Sequence, residues 1–460
     1  MADTLTYVLS ALVALGALIF IHELGHFLVA KGVGVGVERF SLGFGPRLWS
    51  LKRGETEYCV SIVPLGGYVK MTGEEAHGEE LIHPTTDTPI DRAKSFATKP
   101  LWARTLIVFA GPGMNFVLAA LIFSFIFAVV GVPVFPTVVG RLIPDGAAAQ
   151  AGLRPQDEVV AVNGQPVRHW GELEERVARS EGQPLALTVA RGGERREVSL
   201  TPRRIPTKTP FGEPSEAWSI GTTPYLPSVV GEVQPGMPAA EAGVEPQDRI
   251  VALNGQPVDT WDELAEAIGQ KPGQPVTLVV ERAGARREIT VTPRAVTERD
   301  PLGNETQVGR IGIARATSQT FLRSDPVSAI AKGVTRTWDV TVLTVVSIWK
   351  LVSGTIPASN IGGPLQISMA AGQQAQQGFV SYAFFVALIS VNLAILNLLP
   401  VPMLDGGHLL FFAIEAVLGR PLSLRKREIA QQIGLALLML LMVFALFNDI
   451  TRLLPVGRLF

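Results

Sequence analysis

Cysteine is nearly missing from this chain of 460 residues. Cys59 is the only one, which excludes an intramolecular disulfide and any cysteine-rich zinc site. Charge is also scarce: Asp, Glu, Lys and Arg make up 18% of residues and sum to −1, so nothing supports a nucleic-acid partner. No Gly-x-Ser-x-Gly turn occurs, which removes a serine hydrolase of that type. The N-terminus lacks a basic stretch. Asp3 is its sole charge before an apolar run, and no small-residue cleavage site follows, so a retained span is expected over a cleaved signal peptide.

Apolar residues are abundant, at 47%, and they cluster. Leu5 to Ala30, Leu101 to Val130, Phe379 to Leu399 and a run centred on Ile433 to Phe447 are four candidate membrane-spanning helices. The first contains Ile21-His22-Glu23-Leu24-Gly25-His26-Phe27. On a helix His22 and His26 share one face, so two imidazoles converge on one point, and Glu23 can act on a water bound there. Ionisable groups inside a span are costly and mark a functional site. The third run leads into Asn397-Leu398-Leu399-Pro400-Val401-Pro402-Met403-Leu404-Asp405-Gly406-Gly407-His408. Zinc hydrolases keep three protein ligands and leave a fourth position for water, and Asp405 is the best third ligand. His408 suits a supporting or interfacial role.

Between these motifs the chain alternates in character. Gly32, Gly34 and Gly36 end the first helix, and residues 37 to 70 read as β-rich. Glu57 to Val63 and Leu65 to Val69 suggest a hairpin across Pro64 and Gly66-Gly67. Tyr58, Val60 and Ile62 would then lie on an edge strand able to pair with an extended peptide, the alternative being a small cytoplasmic hairpin without a role. Residues 73 to 91 read as a polar loop. Gly111-Pro112 interrupts the second run, and Asn115 is placed to hydrogen-bond across to the first helix near the metal and is a candidate substrate contact, the alternative being a packing role for the small residues around it. Trp338 to Ile356 carries Asp339 and Lys350 and reads as an amphipathic helix on the membrane surface, against a fifth span.

An internal repeat separates the second and third runs. Pro144 to Leu173 aligns without gaps to Pro235 to Leu264, with 18 of 30 positions identical. Each copy reads as a strand, an Ala-rich helix, a strand into an Asn-Gly turn, then a further helix and strands. Six prolines between residues 202 and 227 read as a semi-rigid linker. The pattern resembles the circularly permuted PDZ domain of bacteria, whose relatives bind extended peptide termini. By position, Val139 to Leu142 and Val230 to Val233 would be the carboxylate-loop and strand segments. Both copies carry Pro-Gln-Asp where that family usually has Gly-Asp.

The fold class is therefore a multi-pass α-helical membrane protein with four transmembrane helices, a membrane-associated β-hairpin region and two tandem permuted PDZ domains (α+β). The expected divisions are a first span (1–31), a cytoplasmic β-rich loop (32–100), a second span (101–131), the first repeat with its linker (132–226) and the second repeat (227–318). A membrane-surface region (319–375), third span (376–400), linking loop (401–428), fourth span (429–450) and tail (451–460) complete it. Ten Lys/Arg lie between residues 31 and 104, and Arg420, Arg425, Lys426 and Arg427 follow the third span. Both links are thus cytoplasmic, with the termini and repeats outside. His22 then lies roughly 25 Å along its helix, near the inner end, where Asp405 also arrives.

With HExxH in the first span, Asn-x-x-Pro-x-Pro-x-Leu-Asp-Gly at 397–406 and paired repeats between, the chain resembles the site-2 proteases over essentially its whole length. The resemblance implies one Zn2+ held by His22, His26 and Asp405, Glu23 as general base, and Asn397 helping to hold substrate. It also implies a bacterial inner-membrane enzyme cleaving single-span proteins already trimmed outside, such as an anti-sigma factor, and remnant signal peptides. The repeats would exclude untrimmed substrates by size. A zinc transporter or a membrane-tethered PDZ scaffold are the rival classes.

Overall fold

The computed structural model describes residues 2–74, 91–299, 304–316 and 320–453. Most of the polar loop expected at 73–91, the end of the second repeat and most of the C-terminal tail lie outside the described residues. The chain forms two compact units, one of residues 1–131, 323–354 and 358–460, the other of residues 132–322 and 355–357.

Four helices of the first unit are long and apolar enough to cross a membrane: Leu5–Gly32, Leu101–Val129, Phe379–Leu398 and Arg425–Arg452. The first helix ends at Gly32, and Gly34 follows with φ +74°, a conformation other residues rarely adopt. The second is continuous through Pro112, so the expected interruption does not break it. Burial of Gly111 and Pro112 among neighbouring helices is what makes a proline tolerable there. The third stops at Leu398 before Pro400 and Pro402, and Asp405 opens the short helix Asp405–Leu418.

Two amphipathic helices complete this unit. The amphipathic helix expected over Trp338 to Ile356 starts earlier and ends sooner, as Pro326–Val352, and it packs along two spans. Gly333 abuts Ser124 and Ala120 of the second span, and Thr344 Oγ1 donates to Asn392 Oδ1 of the third at 2.8 Å. Its other side exposes Trp338 and Trp349. A one-sided apolar pattern suits packing on neighbouring helices as well as a membrane surface, so the pattern alone does not reveal these contacts. Helix Pro364–Gln376 rests on the first span, where Ser368 Oγ donates to the Tyr7 carbonyl at 3.3 Å. Asp449 of the fourth span accepts the backbone N–H groups of Gly363 and Leu365 at its start, at 2.8 and 3.0 Å.

The β-rich segment is two long strands, Val37–Arg53 and Thr56–Met71, joined at Gly54-Glu55. The expected hairpin across Pro64 and Gly66-Gly67 is not formed. Phe40 lies opposite both Tyr58 and Val69, so 57–60 and 67–70 flank the same segment from opposite sides. Tyr58 also faces Leu51 and Val60 also faces Trp49, leaving 57–60 paired on both edges. Gly43 and Gly45, at φ +90° and +88°, let the first strand bend back to serve both. Leu48, Trp49, Leu51 and Ile62 stay exposed, an apolar face of the kind that meets a membrane or partner.

The second unit holds the duplication. Strand order is Gln165–Pro166, Glu158–Val162, Leu185–Arg191, Glu194–Leu200 in one copy and Gln256–Pro257, Arg249–Leu253, Val276–Arg282, Ala285–Val291 in the other. Helix Trp170–Arg179 packs on the first through Trp170, Leu173 and Val177; helix Trp261–Gly269 packs on the second through Leu264 and Ile268. Asp157 pairs with Arg191 and Asp248 with Arg282, both at 2.7 Å. Burial raises both carboxyls, but the guanidinium and a backbone N–H outweigh it and hold them below the usual carboxylate range. Gln156 and Gln247 have φ +69° and +73°, a left-handed conformation that glycine adopts at less cost. The proline-rich stretch is not a linker. It forms the hairpin Arg203–Lys208/Pro214–Ser219 and then strand Thr222–Pro224, which pairs with Val139–Leu142. Arg294–Arg299/Glu305–Arg310 and Ile313–Arg315 with Val230–Val233 repeat it in the second copy.

Candidate metal centre

His22 and His26 lie one turn apart on the first span and are 7% and 8% exposed. Their Nε2 atoms are 3.1 Å from each other. Asp405, from the far end of the chain, places Oδ2 3.0 Å from His22 Nε2 and Oδ1 3.6 Å from His26 Nε2. His26 Nδ1 donates to the Ile107 carbonyl at 2.8 Å, so its Nε2 presents a lone pair. With His22 in the same tautomer, three acceptors would crowd one buried space and repel one another unless a cation lay between them. A tetrahedral zinc with bonds near 2.0–2.1 Å requires donor separations of about 3.3 Å. The three observed spacings bracket that figure, so the donor set fits the ion.

The neighbouring backbones are cut to this shape. A methyl group at Gly111 of the second span would overlap His26 Nε2 and lie 2.8 Å from His22 Nε2. One at Gly25 would run into the Ala110 carbonyl. Small residues at both positions bring the two helices close enough for Ile107 to reach His26. From sequence Gly111 is expected to interrupt its helix, with packing as the alternative, while Gly25 passes unremarked inside the histidine motif.

Glu23 is half-buried beside His26, Asp405 and the backbone of Val69. A Cβ at Gly67 would be 3.3 Å from Glu23 Cγ. The strand segment next to the site is therefore 67–69. Tyr58 packs its ring against Phe27 and Phe40, and Tyr58 and Val60 are paired on both sides, so neither lies on a free edge; Ile62 is exposed. Asn115 is fully buried with Nδ2 3.3 Å from His22 Nδ1. Asn397 is half-buried near the end of the third span. His408 is one turn beyond Asp405, its ring edge-on to Phe411.

Residues 10–441 match the model of peptidase family M50, and the chain belongs to that family. It is 38% identical over 448 residues to the regulator of sigma-E protease RseP of Salmonella typhimurium (strain 14028s / SGSC 2262), covering 96% of this chain and 98% of that protein. To the protein of the same name from Escherichia coli (strain K12) it is 39% identical over 456 residues, covering 96% and 98%. Protease RseP of Yersinia pestis is 39% identical over 451 residues, again covering 96% and 98%. The chain is thus a zinc metalloprotease of the intramembrane type, with four apolar helices that fit an inner-membrane protein.

Proposed function

We propose that His22, His26 and Asp405 hold the zinc of this protease and that Glu23 is its general base. The observation that carries the reading is the meeting of two imidazoles and a carboxylate within zinc-bonding range, from helices at opposite ends of the chain. Bound there, zinc would lower the pKa of a coordinated water to about 7 and polarise a peptide carbonyl. Glu23, beside the Val69 backbone, takes the proton from the attacking water and passes it to the leaving nitrogen. Asn397 helps hold the substrate backbone.

A helical substrate hides its carbonyls, so it unwinds before cleavage. The extended stretch adds to the outer strand 67–69, next to Glu23, and not to Tyr58–Ile62, whose segment is already paired on both sides through residue 60. The substrates are single-span membrane proteins trimmed beforehand, of the anti-sigma-factor kind, and remnant signal peptides. The basic links at 31–104 and after Gly419 face the cytoplasm, with termini and repeats periplasmic and the site near the cytoplasmic side.

The two repeats act as permuted PDZ domains that admit trimmed substrates and take peptide ends. The second has a groove of about 590 Å³ between helix Trp261–Gly269 and residues 309–315, lined by apolar side chains such as Leu264 and Ile268 and by polar ones such as Glu232 and Arg310. Loop Arg310–Gly312 and strand Ile313–Arg315 would seat the peptide, so this role moves from Val230–Val233 to its pairing partner. Where the second copy has Gly309 the first has Trp218, whose ring lies against Gly182.

The test uses purified protein and Glu23→Gln with a single-span peptide, with and without chelator. The variant should bind zinc and peptide but not cleave. Cleavage by Glu23→Gln, or by chelated wild type, would refute the assignment; transport or scaffolding would survive the substitution.

A further inference from the structure

Ile107, Gly111 and Asn115 are spaced four apart and share one face of the second span. Each meets an imidazole of the first. The Ile107 carbonyl accepts from His26, Gly111 leaves room for both rings, and the Asn115 amide lies at His22 Nδ1. A ring that binds a cation through Nε2 carries its proton on Nδ1, and that N–H needs an acceptor. His26 has one in Ile107. For His22, the hydrogen-bonding group at Nδ1 is the Asn115 amide.

The amide nitrogen faces the ring, while the buried Asn115 Oδ1 has no hydrogen-bond partner among the described residues. An amide nitrogen has no free lone pair to accept an N–H. Its oxygen does, and a half-turn of the amide exchanges the two without moving the side chain. The backbone beneath is anchored: Ser390 Oγ of the third span donates to the Asn115 carbonyl at 2.8 Å, both residues being fully buried.

We infer that Asn115 is the positioning residue for His22, its amide oxygen accepting from Nδ1–H and holding the ring in its metal-binding tautomer. The inference rests on the reading that His22 is a zinc ligand. It removes Asn115 from the substrate contacts expected from sequence. One face of the second span then supports both rings, one by a carbonyl and the other by an amide.

The test measures zinc affinity of the full-length protein by competition with a chromophoric chelator, together with the visible spectrum of the cobalt-substituted form. Asn115→Leu keeps the volume but cannot accept; Asn115→Asp keeps the acceptor. Zinc affinity should fall about 10–100-fold in the leucine variant, with an altered cobalt spectrum, and stay within a few-fold in the aspartate variant. A rise in KM with zinc affinity unchanged in Asn115→Leu would return the residue to substrate binding and overturn the inference. Equal zinc loss in both variants would overturn it too. Should the leucine variant not fold, the aspartate variant decides: wild-type zinc affinity supports the inference and a tenfold loss refutes it. His22→Ala is the control, because zinc binding left intact there would instead defeat the ligand reading.

Discussion

The backbone of Gly111 lies directly against the imidazole of His26, so close that a single added methyl would occupy the space of Nε2. The two spans are thus fitted to each other at the centre of the site. Gly111→Ala should leave the helices folded, because an imidazole can swing aside, but it should evict both rings from the metal position. Proteolysis should drop at least about 100-fold, the scale of a 1 Å misplacement at a reacting centre. Zinc content and cleavage measured on the same preparation check it. Gly25→Ala should behave differently, since the obstacle is the Ala110 carbonyl and backbone cannot swing away. There the melting temperature should fall along with activity.

The helix that carries Asp405 is tied to the second span by an ion pair. Arg104 binds Glu415 through both nitrogens of its fork, with side chains 12% and 13% exposed, and stacks over Phe412. Arg427 is only a distant second partner, at 3.8 Å. Arg104→Met should destabilise the protein by about 3 kcal/mol, as breaking a largely buried pair strands the remaining charge. Arg104→Met with Glu415→Leu should lose less than the single change. Thermal unfolding in detergent, followed by tryptophan fluorescence, compares the two.

Acid should weaken the repeats in a defined window. Asp157 and Asp248 have depressed folded pKa values, so the unfolded chain binds the proton more readily. Their contribution is full above the unfolded carboxylate value of about 4 and is lost as pH falls through the lower folded value. Asp157→Asn and Asp248→Asn should lower stability at pH 7 and flatten its decline below about pH 4. Unfolding midpoints from pH 7 down to 3 would reveal a failure if the variants keep the wild-type slope.

Cys59 lies between Ser41 and Ser50, in the part of the sheet with neighbours on both sides. Cys59→Pro should therefore reduce folding and cleavage in parallel, as a proline removes a ladder bond and fits only at edges. Cleavage falling while the melting curve stays put would restore 57–60 as a substrate-facing edge.

What the chain disclosed in advance depended on the range of the interaction. The approach of His22 to His26 follows from helical spacing alone, and Asp405 announced itself through the prolines and glycines around it. Pairing in the 37–71 sheet was opaque, because it turns on bends at Gly43 and Gly45 that alternation of side chains does not encode. The proline-rich stretch misled for a related reason: Pro206 and Pro214 belong to a hairpin whose partner strand is supplied by the same stretch, not to a spacer. Helix Pro326–Val352 kept its predicted character and changed its surroundings, since Gly333 is small for the sake of the second span. Ile107 acts through its backbone carbonyl and Gly111 through the space it leaves, which residue identity does not advertise.

The wide separation of Asp405 from the two histidines has a consequence for the life of the molecule. A ribosome that has released both imidazoles must add several hundred more amino acids before the carboxylate exists. At about 5–20 residues per second, that delay is roughly 20 to 80 seconds. Throughout it, on the proposed ligand set, the half-finished chain is an incomplete hydrolase, harmless to its neighbours until nearly the last of it has been made.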